Sequence, residues 1–249
     1  MRIEVLDTPE LLGEKAAQLA ARIINKAIAE NGHARVVLAT GASQFTTLDA
    51  LIKQDVDWSK VEAFHLDEYI GIDPDHPASF VRYLKERVES KVELKVFHFV
   101  DVSLGVERTI AKLSRLISER PVDVGFIGIG ENAHIAFNDP PADFDDGACF
   151  KVVALDDACR RQQHGEGWFP TLDDVPKQAI TMTVKQIMKC RSIVSAVPFA
   201  VKSKAVFDTL SAPETTPMVP ATILRQHPDI WLFLDKDSAS LLSEELLLT

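Results

Sequence analysis

Apolar residues recur along this chain in two rhythms, one of period two or continuous and one of period 3.6, and the two take turns. Arg2 to Leu6 reads as a strand. Thr8-Pro9-Glu10 then supplies an N-cap, a first-turn proline and a first-turn acid. Leu12, Ala16, Leu19, Ala20, Ile23 and Ala27 follow at helical spacing, and Asn31-Gly32 is a stop signal. Val36 to Ala39 is a short run of buried-strand type, and the loop Thr40-Gly41-Ala42-Ser43 leads into a helix over Phe45 to Leu51. The alternation goes on. Strands are predicted at Val61 to Leu66, Leu94 to Phe99 and Val122 to Gly130, with helices at Ser79 to Val88 and Val106 to Ile117. Later strands are predicted at Ala179 to Met182, Ser192 to Val197 and Ile230 to Leu234. Later helices are predicted at Lys202 to Thr209, Ala221 to Gln226 and Ser238 to Leu247. Strands alternating with helices imply an α/β fold: a doubly wound, mostly parallel, Rossmann-like sheet with helices on both faces. No linker or repeat divides residues 1–249, so one domain is expected. Asp139 to Val175 is the irregular stretch, with Pro140-Pro141 and His164-Gly165-Glu166-Gly167. Loops of that length in a compact fold are usually functional.

Composition narrows the class. The 249 residues are 46% hydrophobic and 26% charged, which is globular and excludes disorder or low complexity. Lys and Arg total 27 against 37 Asp and Glu, a net charge of -10. Such a chain is a poor partner for nucleic acid or an anionic membrane, though one loop can still hold a small anion. Its start lacks a secretory apolar core, and no apolar run nears the ~20 residues that span a bilayer. Cys149, Cys159 and Cys190 are odd in number and lack CxxC spacing, which argues against a disulfide framework and a zinc site. A cytoplasmic setting is expected. The acidic, partly apolar surface fits a monomer or a homo-oligomer.

Four segments carry candidate chemistry. Thr40-Gly41-Ala42-Ser43, between a buried strand and a helix, offers backbone N–H groups and hydroxyls to an anion such as phosphate. A plain capped turn fits the same residues, and the Gly-Lys-Ser/Thr ending of a P-loop is missing. Asp67-Glu68 at a strand end could supply a general base with a raised pKa, or be a solvated acidic turn. Gly128-Ile129-Gly130 leads to His134, with Glu131, Asn132 and Asp139 close in sequence. A histidine held on one ring nitrogen can move protons with the other, although a lone histidine is more often structural. Lys202-Ser203-Lys204-Ala205 opens a late helix and could present a lysine to phosphate. Arg160 and Arg161 are further candidate cations.

Together these segments resemble the glucosamine-6-phosphate deaminase/isomerase family. Phe64-His65-Leu66-Asp67-Glu68-Tyr69-Ile70-Gly71, followed by His76-Pro77-Ala78-Ser79-Phe80, is similar to its (L/M)DEYxG…HPxS(Y/F) signature. Gly128-Ile129-Gly130 and His134-Ile135-Ala136-Phe137-Asn138 are similar to GxGxDGHIAFN. Pro220-Ala221-Thr222 with Leu224 and His227 matches a third segment, with Thr222 in place of a serine. The resemblance implies metal- and cofactor-independent opening of an amino-sugar phosphate ring, C2–C1 proton transfer and loss of ammonia. It places Asp67 as the proton-transfer base and His134 as the ring-opening acid/base. It places Thr40, Gly41, Ala42, Ser43 and Lys204 on the 6-phosphate.

The departures from the pattern are as specific as the matches. Asn132 stands for the usual Asp, Ala133 for Gly and Asp139 for Glu. Asn132 can accept a hydrogen bond from the imidazole but brings no charge, Glu131 is one residue off, and the shorter Asp139 is expected to reach His134 through water. The segment Gln162 to Phe169 does not align with the family's phosphate-binding arginine, for which Arg160 and Arg161 are the nearest candidates. Two alternatives stay open: a lactonase related to 6-phosphogluconolactonases, and a sugar-phosphate binding protein without catalysis. Tyr69 favours the isomerase branch, since the lactonases usually carry Arg there.

Overall fold

The computed structural model describes residues 1–165 and 167–247; Glu166, named above, lies outside them. The strands are β1 (Arg2–Leu6), β2 (Ala34–Leu38), β3 (Val61–His65), β4 (Asp67–Tyr69) and β5 (Val96–His98). They continue as β6 (Val124–Phe126), β7 (Phe150–Ala154), β8 (Gln178–Met182), β9 (Ser192–Val197) and β10 (Ile230–Asp235). The helices are α1 (Pro9–Asn31), α2 (Phe45–Leu51), α3 (Phe80–Leu84) and α4 (Val106–Ser118). Then come α5 (Asp157–Gly165), α6 (Val184–Ile187), α7 (Ser203–Ser211) and α8 (Glu244–Leu247).

Seven strands form one parallel sheet in the order β1-β10-β9-β6-β2-β3-β5. Two apolar clusters cover it. One gathers Leu12, Ala16, Ala20, Ile24, Leu48 and Leu84, and the other Leu113, Ile117, Ile187, Val206 and Leu210. α1 forms as its sequence dictates: Thr8 accepts from Leu11 N–H at the N-terminus, and Gly32 closes it at φ 76°. The continuous burial of β2 and β9 follows from helices on both faces. The chain moves outward from β2 through β3 to β5, then returns to β6 on the other side of β2. That reversal opens a crevice at the carboxyl ends of β2 and β6, the usual ligand position in such sheets.

A second, three-stranded antiparallel sheet, β4-β8-β7, starts one residue past β3. Asp67 to Tyr69 are thus strand residues, not a turn, and Asp67 pairs with Thr181. The strand predicted at Ala179 to Met182 is β8 and belongs to this sheet. The stretch from Asp139 to Val175 is less irregular than expected, since it contains β7 and α5. α5 reads as Asp-Ala-Cys-Arg-Arg-Gln-Gln-His-Gly, too polar for an apolar stripe. Tertiary contacts hold it instead: Arg160 donates to Leu172 O, and the buried Cys159 packs with Tyr69 and Phe137. The helix predicted at Ala221 to Gln226 is a 3₁₀ helix over Pro220–Gln226, and only Glu244–Leu247 of the last predicted helix is α-helical.

The core also buries an ion pair. The Arg35 guanidinium, 1% exposed on β2, meets Glu62 on β3 at 3.1 Å. It also donates to the carbonyls of Leu116, Ile117 and Arg120 at the C-terminal end of α4. The last carbonyls of a helix lack the usual partner four residues on, and the cation meets the negative end of the α4 dipole. Removing one member of such a pair typically costs about 3–5 kcal/mol.

Candidate active site

A cavity of about 540 Å³, its open mouth included, lies at the crevice between β2 and β6. Thr40, Gly41 and Ser43 line it from the loop after β2, and Asp67 lines it from the start of β4. Gly128, Gly130 and His134 come from the loop after β6, Lys202 from the turn after β9, and Gln162 and Gln163 from α5.

Asp67 is 5% exposed, because it stands where the two sheets meet. Burial, with the Glu68 charge beside it, pushes its carboxyl up to about 8, against a backbone hydrogen bond from Phe137 that lowers it. A carboxylate at that level can both take and return a proton near neutrality. Glu68 points the other way, as alternation along a strand requires. It accepts from Tyr69 N–H at 2.9 Å, Ser79 Oγ–H at 2.9 Å and Val81 N–H at 2.8 Å. Burial raises its carboxyl and these donors partly offset that. Glu68 therefore fastens β4 to the start of α3 and does not line the cavity.

His134 is held by a compact relay. Its Nδ1 lies 2.7 Å from Asp139 Oδ1, which also accepts from the Asn132 amide at 2.9 Å. Asn132 Oδ1 accepts from the His134 backbone N–H at 3.1 Å. Two sequence-based expectations change here. Asp139 reaches the ring directly, and Asn132 holds Asp139 and the backbone, not the imidazole. The turn bends so sharply, with Ala133 at φ 63° and Ala136 at φ 52°, that a shorter acid spans the gap. The imidazole lies flat against Gly130, where a Cβ would meet the ring at 2.2 Å. The glycine is thus required by the histidine. The partners of Asp139 hold its carboxyl below the ordinary range against the burial that would raise it. An anionic Asp139 fixes the proton on Nδ1 and leaves Nε2 for proton transfer.

The structure brings only some of the candidate anion-binding residues to the cavity. Thr40, Gly41 and Ser43 line the cavity, whereas Ala42 faces a neighbouring one. Gln44 anchors this loop by donating to Ala196 O on β9 at 3.1 Å, and Tyr83 OH donates to Gly41 O at 3.0 Å. Lys204 does not reach the cavity: its Nζ is ion-paired with Asp208 at 2.7 Å on the exposed face of α7. Lys202, 7% exposed and two residues earlier, lines it instead. Arg160 is occupied by Leu172 O and Val175 O and by Asp157, away from the cavity. Arg161 is exposed and does not line the cavity, and Glu131 is exposed, with only its backbone N–H engaged by Gln162 Oε1.

Sequence reasoning missed Gln162 and Gln163. Gln163 Oε1 accepts from Tyr69 OH at 2.5 Å and Gln162 Oε1 from Glu131 N–H at 3.3 Å. With both carbonyls engaged, each amide keeps its N–H donors for the cavity. The available signal was a pair of adjacent amides inside a highly charged stretch, which spacing alone cannot distinguish from a solvated surface.

The fold and this constellation are those of an α/β protein that sets a buried carboxylate and a carboxylate-held histidine on one cavity at the sheet's switch point. The sequence pattern of the glucosamine-6-phosphate isomerases/6-phosphogluconolactonases matches residues 7–232, and the chain belongs to that family. It is 34% identical over 234 residues to a glucosamine-6-phosphate deaminase of Exiguobacterium sibiricum, spanning 93% of this chain and 91% of that one. It is 31% identical over 243 residues to one of Lactobacillus delbrueckii subsp. bulgaricus, spanning 97% and 100%. A solved monomeric glucosamine-6-phosphate deaminase superposes with a TM-score of 0.88 at 28% identity, covering 97% of this chain and 100% of the other. A 6-phosphogluconolactonase of Thermotoga maritima shares the fold at a TM-score of 0.77 and 19% identity, over 94% and 99%. Among the described residues no helix is long and apolar enough to cross a membrane.

Proposed function

We propose that this chain converts glucosamine 6-phosphate to fructose 6-phosphate and ammonia. The observation that carries the reading is the facing of a buried Asp67 and a relay-held His134 on one cavity with Thr40, Gly41, Ser43 and Lys202. His134 Nε2 takes the proton from the C1 hydroxyl and returns one to the ring oxygen, which opens the ring. Asp67 then takes the C2 proton while the C1 oxygen gains one from solvent, giving an enolamine, and delivers the C2 proton to C1, so that C2 becomes an iminium. Water adds at C2 and ammonia leaves. The 6-phosphate, held by the loop hydroxyls, backbone N–H groups and Lys202, anchors the sugar away from the reacting carbons, and its binding orients C1 and C2. Gln162 and Gln163 donate to sugar oxygens. No metal or organic cofactor enters these steps. Three free thiols and a phosphorylated substrate fit a cytoplasmic setting.

The test is release of ammonia and ketose phosphate from glucosamine 6-phosphate, with 6-phosphogluconolactone hydrolysis measured in parallel. Equal amounts of both products support the reading. Lactone hydrolysis without ammonia release overturns it, and so does ligand-induced thermal stabilisation with no turnover.

A further inference from the structure

Behind the ring of His134, on the side away from the sugar, a third group completes a cluster. His134, Asp139 and Cys159 bring a ring nitrogen, a carboxylate oxygen and a thiol sulfur within 4.8 Å of one another. Asp139 Oδ1 is taken by His134 and Asn132, and the Cys159 thiol is hydrogen-bonded to the same carboxylate. An ion that replaces the thiol and imidazole protons would meet all three donors at once. Cys159 is fully buried beside Asp139. Asp139 also borders a second cavity, together with Pro140, Lys151 and Asp156.

We propose that His134, Asp139 and Cys159 form a binding site for a thiophilic divalent cation of the zinc type, and that its occupancy switches off the histidine. Imidazole, carboxylate and thiolate are the donor set zinc takes, at about 2.0–2.3 Å each. Donors around such an ion stand about 3.3–3.8 Å apart, so the cluster needs only side-chain adjustments. The chemistry balances. Cys159 forms the sulfur–metal bond and loses its proton to solvent. The single proton of the neutral imidazole moves from Nδ1 to Nε2, which frees the Nδ1 lone pair for the metal. Nε2–H then faces the sugar and cannot accept a proton. Sequence spacing could not reveal this site, because its donors come from a turn and from α5.

The site stands apart from the substrate reading, and only the loss of activity rests on that reading. Cobalt(II) is the probe for the site. One equivalent is expected to give near-ultraviolet thiolate charge-transfer absorption and to release one proton per ion, with no sugar present. Cys159→Ser is expected to abolish the band and Cys149→Ser to keep it. Zinc is expected to inhibit turnover reversibly, with the inhibitory concentration about tenfold or more higher in Cys159→Ser. A wild type without the band overturns the proposal. So does a band that survives in Cys159→Ser, or zinc inhibition of that variant at the wild-type concentration. Thermal unfolding verifies the fold of that variant, and Asp139→Asn, read by cobalt alone, tests the carboxylate by a second route.

Discussion

The two walls of the cavity are built on different principles. The wall proposed for proton transfer is locked: Asp67 is buried at a sheet junction, and His134, Asp139 and Asn132 hold one another at 2.7 to 3.1 Å. The wall proposed for the anion is made of a loop, its hydroxyls and one lysine, and its supports come from Gln44 and Tyr83. The difference follows from the work each wall does. Proton transfer needs the donor and acceptor within hydrogen-bond reach at the moment of reaction, so small displacements are costly. A phosphate dianion accepts hydrogen bonds from many directions, and a long lysine adjusts to it.

That contrast is testable, and the largest effect belongs to the locked wall. Asp67→Asn keeps the shape and removes the base, so turnover should fall by about 10²–10⁴-fold with substrate still bound. Steady-state kinetics with a thermal-shift control reads both. Lys202→Ala belongs to the adaptable wall: KM for the phosphorylated sugar should rise about tenfold with kcat nearly unchanged, the signature of lost uniform binding. Lys204→Ala should alter neither. A KM effect at Lys204 instead of Lys202 would reverse the correction made above.

The pH profile gives a smaller, graded effect. Asp67 must be ionised to act as a base, so kcat/KM should climb with pH and level off above about 8. The sign for stability is opposite. The folded state holds the Asp67 proton more tightly than the unfolded chain, so this group's contribution declines as pH rises from 3.8 to about 8. Asp67→Asn should therefore gain stability relative to wild type across that window, as denaturant titrations at pH 5 and pH 9 would show. The smallest effect concerns the turn that carries His134. Ala133 at φ 63° is strained by about 1 kcal/mol, and glycine there loses about 0.5 kcal/mol of it again through chain entropy. Ala133→Gly should raise stability by the difference, about 0.5 kcal/mol, measured by the same titrations.

Much of the molecule is legible without the structure. The parallel sheet follows from the alternation of apolar runs and helical stripes, as α1 and α4 illustrate. Asp67, His134, Thr40, Gly41 and Ser43, which line one cavity, could be named from the sequence because their motifs are local and the loops follow strands. α5 was missed because a helix held by the contacts of Cys159, Arg160 and Gln163 needs no apolar stripe. The choice of Lys204 over Lys202 failed for a related reason. Two lysines two residues apart face different sides of a helix start, and only the direction of the chain after β9 decides which side is the cavity.

Sequence alone determined most elements of the parallel sheet, the class of fold they build and the candidate residue types, because periodicity and capping act over a few neighbouring positions. Tertiary structure decided the rest. It buried Arg35 against Glu62 and the end of α4, joined a second sheet to the first at Asp67, and set Asn132 on Asp139 instead of on the imidazole. Each of these depends on groups far apart in the chain or on the path of a turn. Burial and hydrogen-bond partners are properties of those encounters, and they are what set the charge state of a carboxylate or the free nitrogen of a histidine.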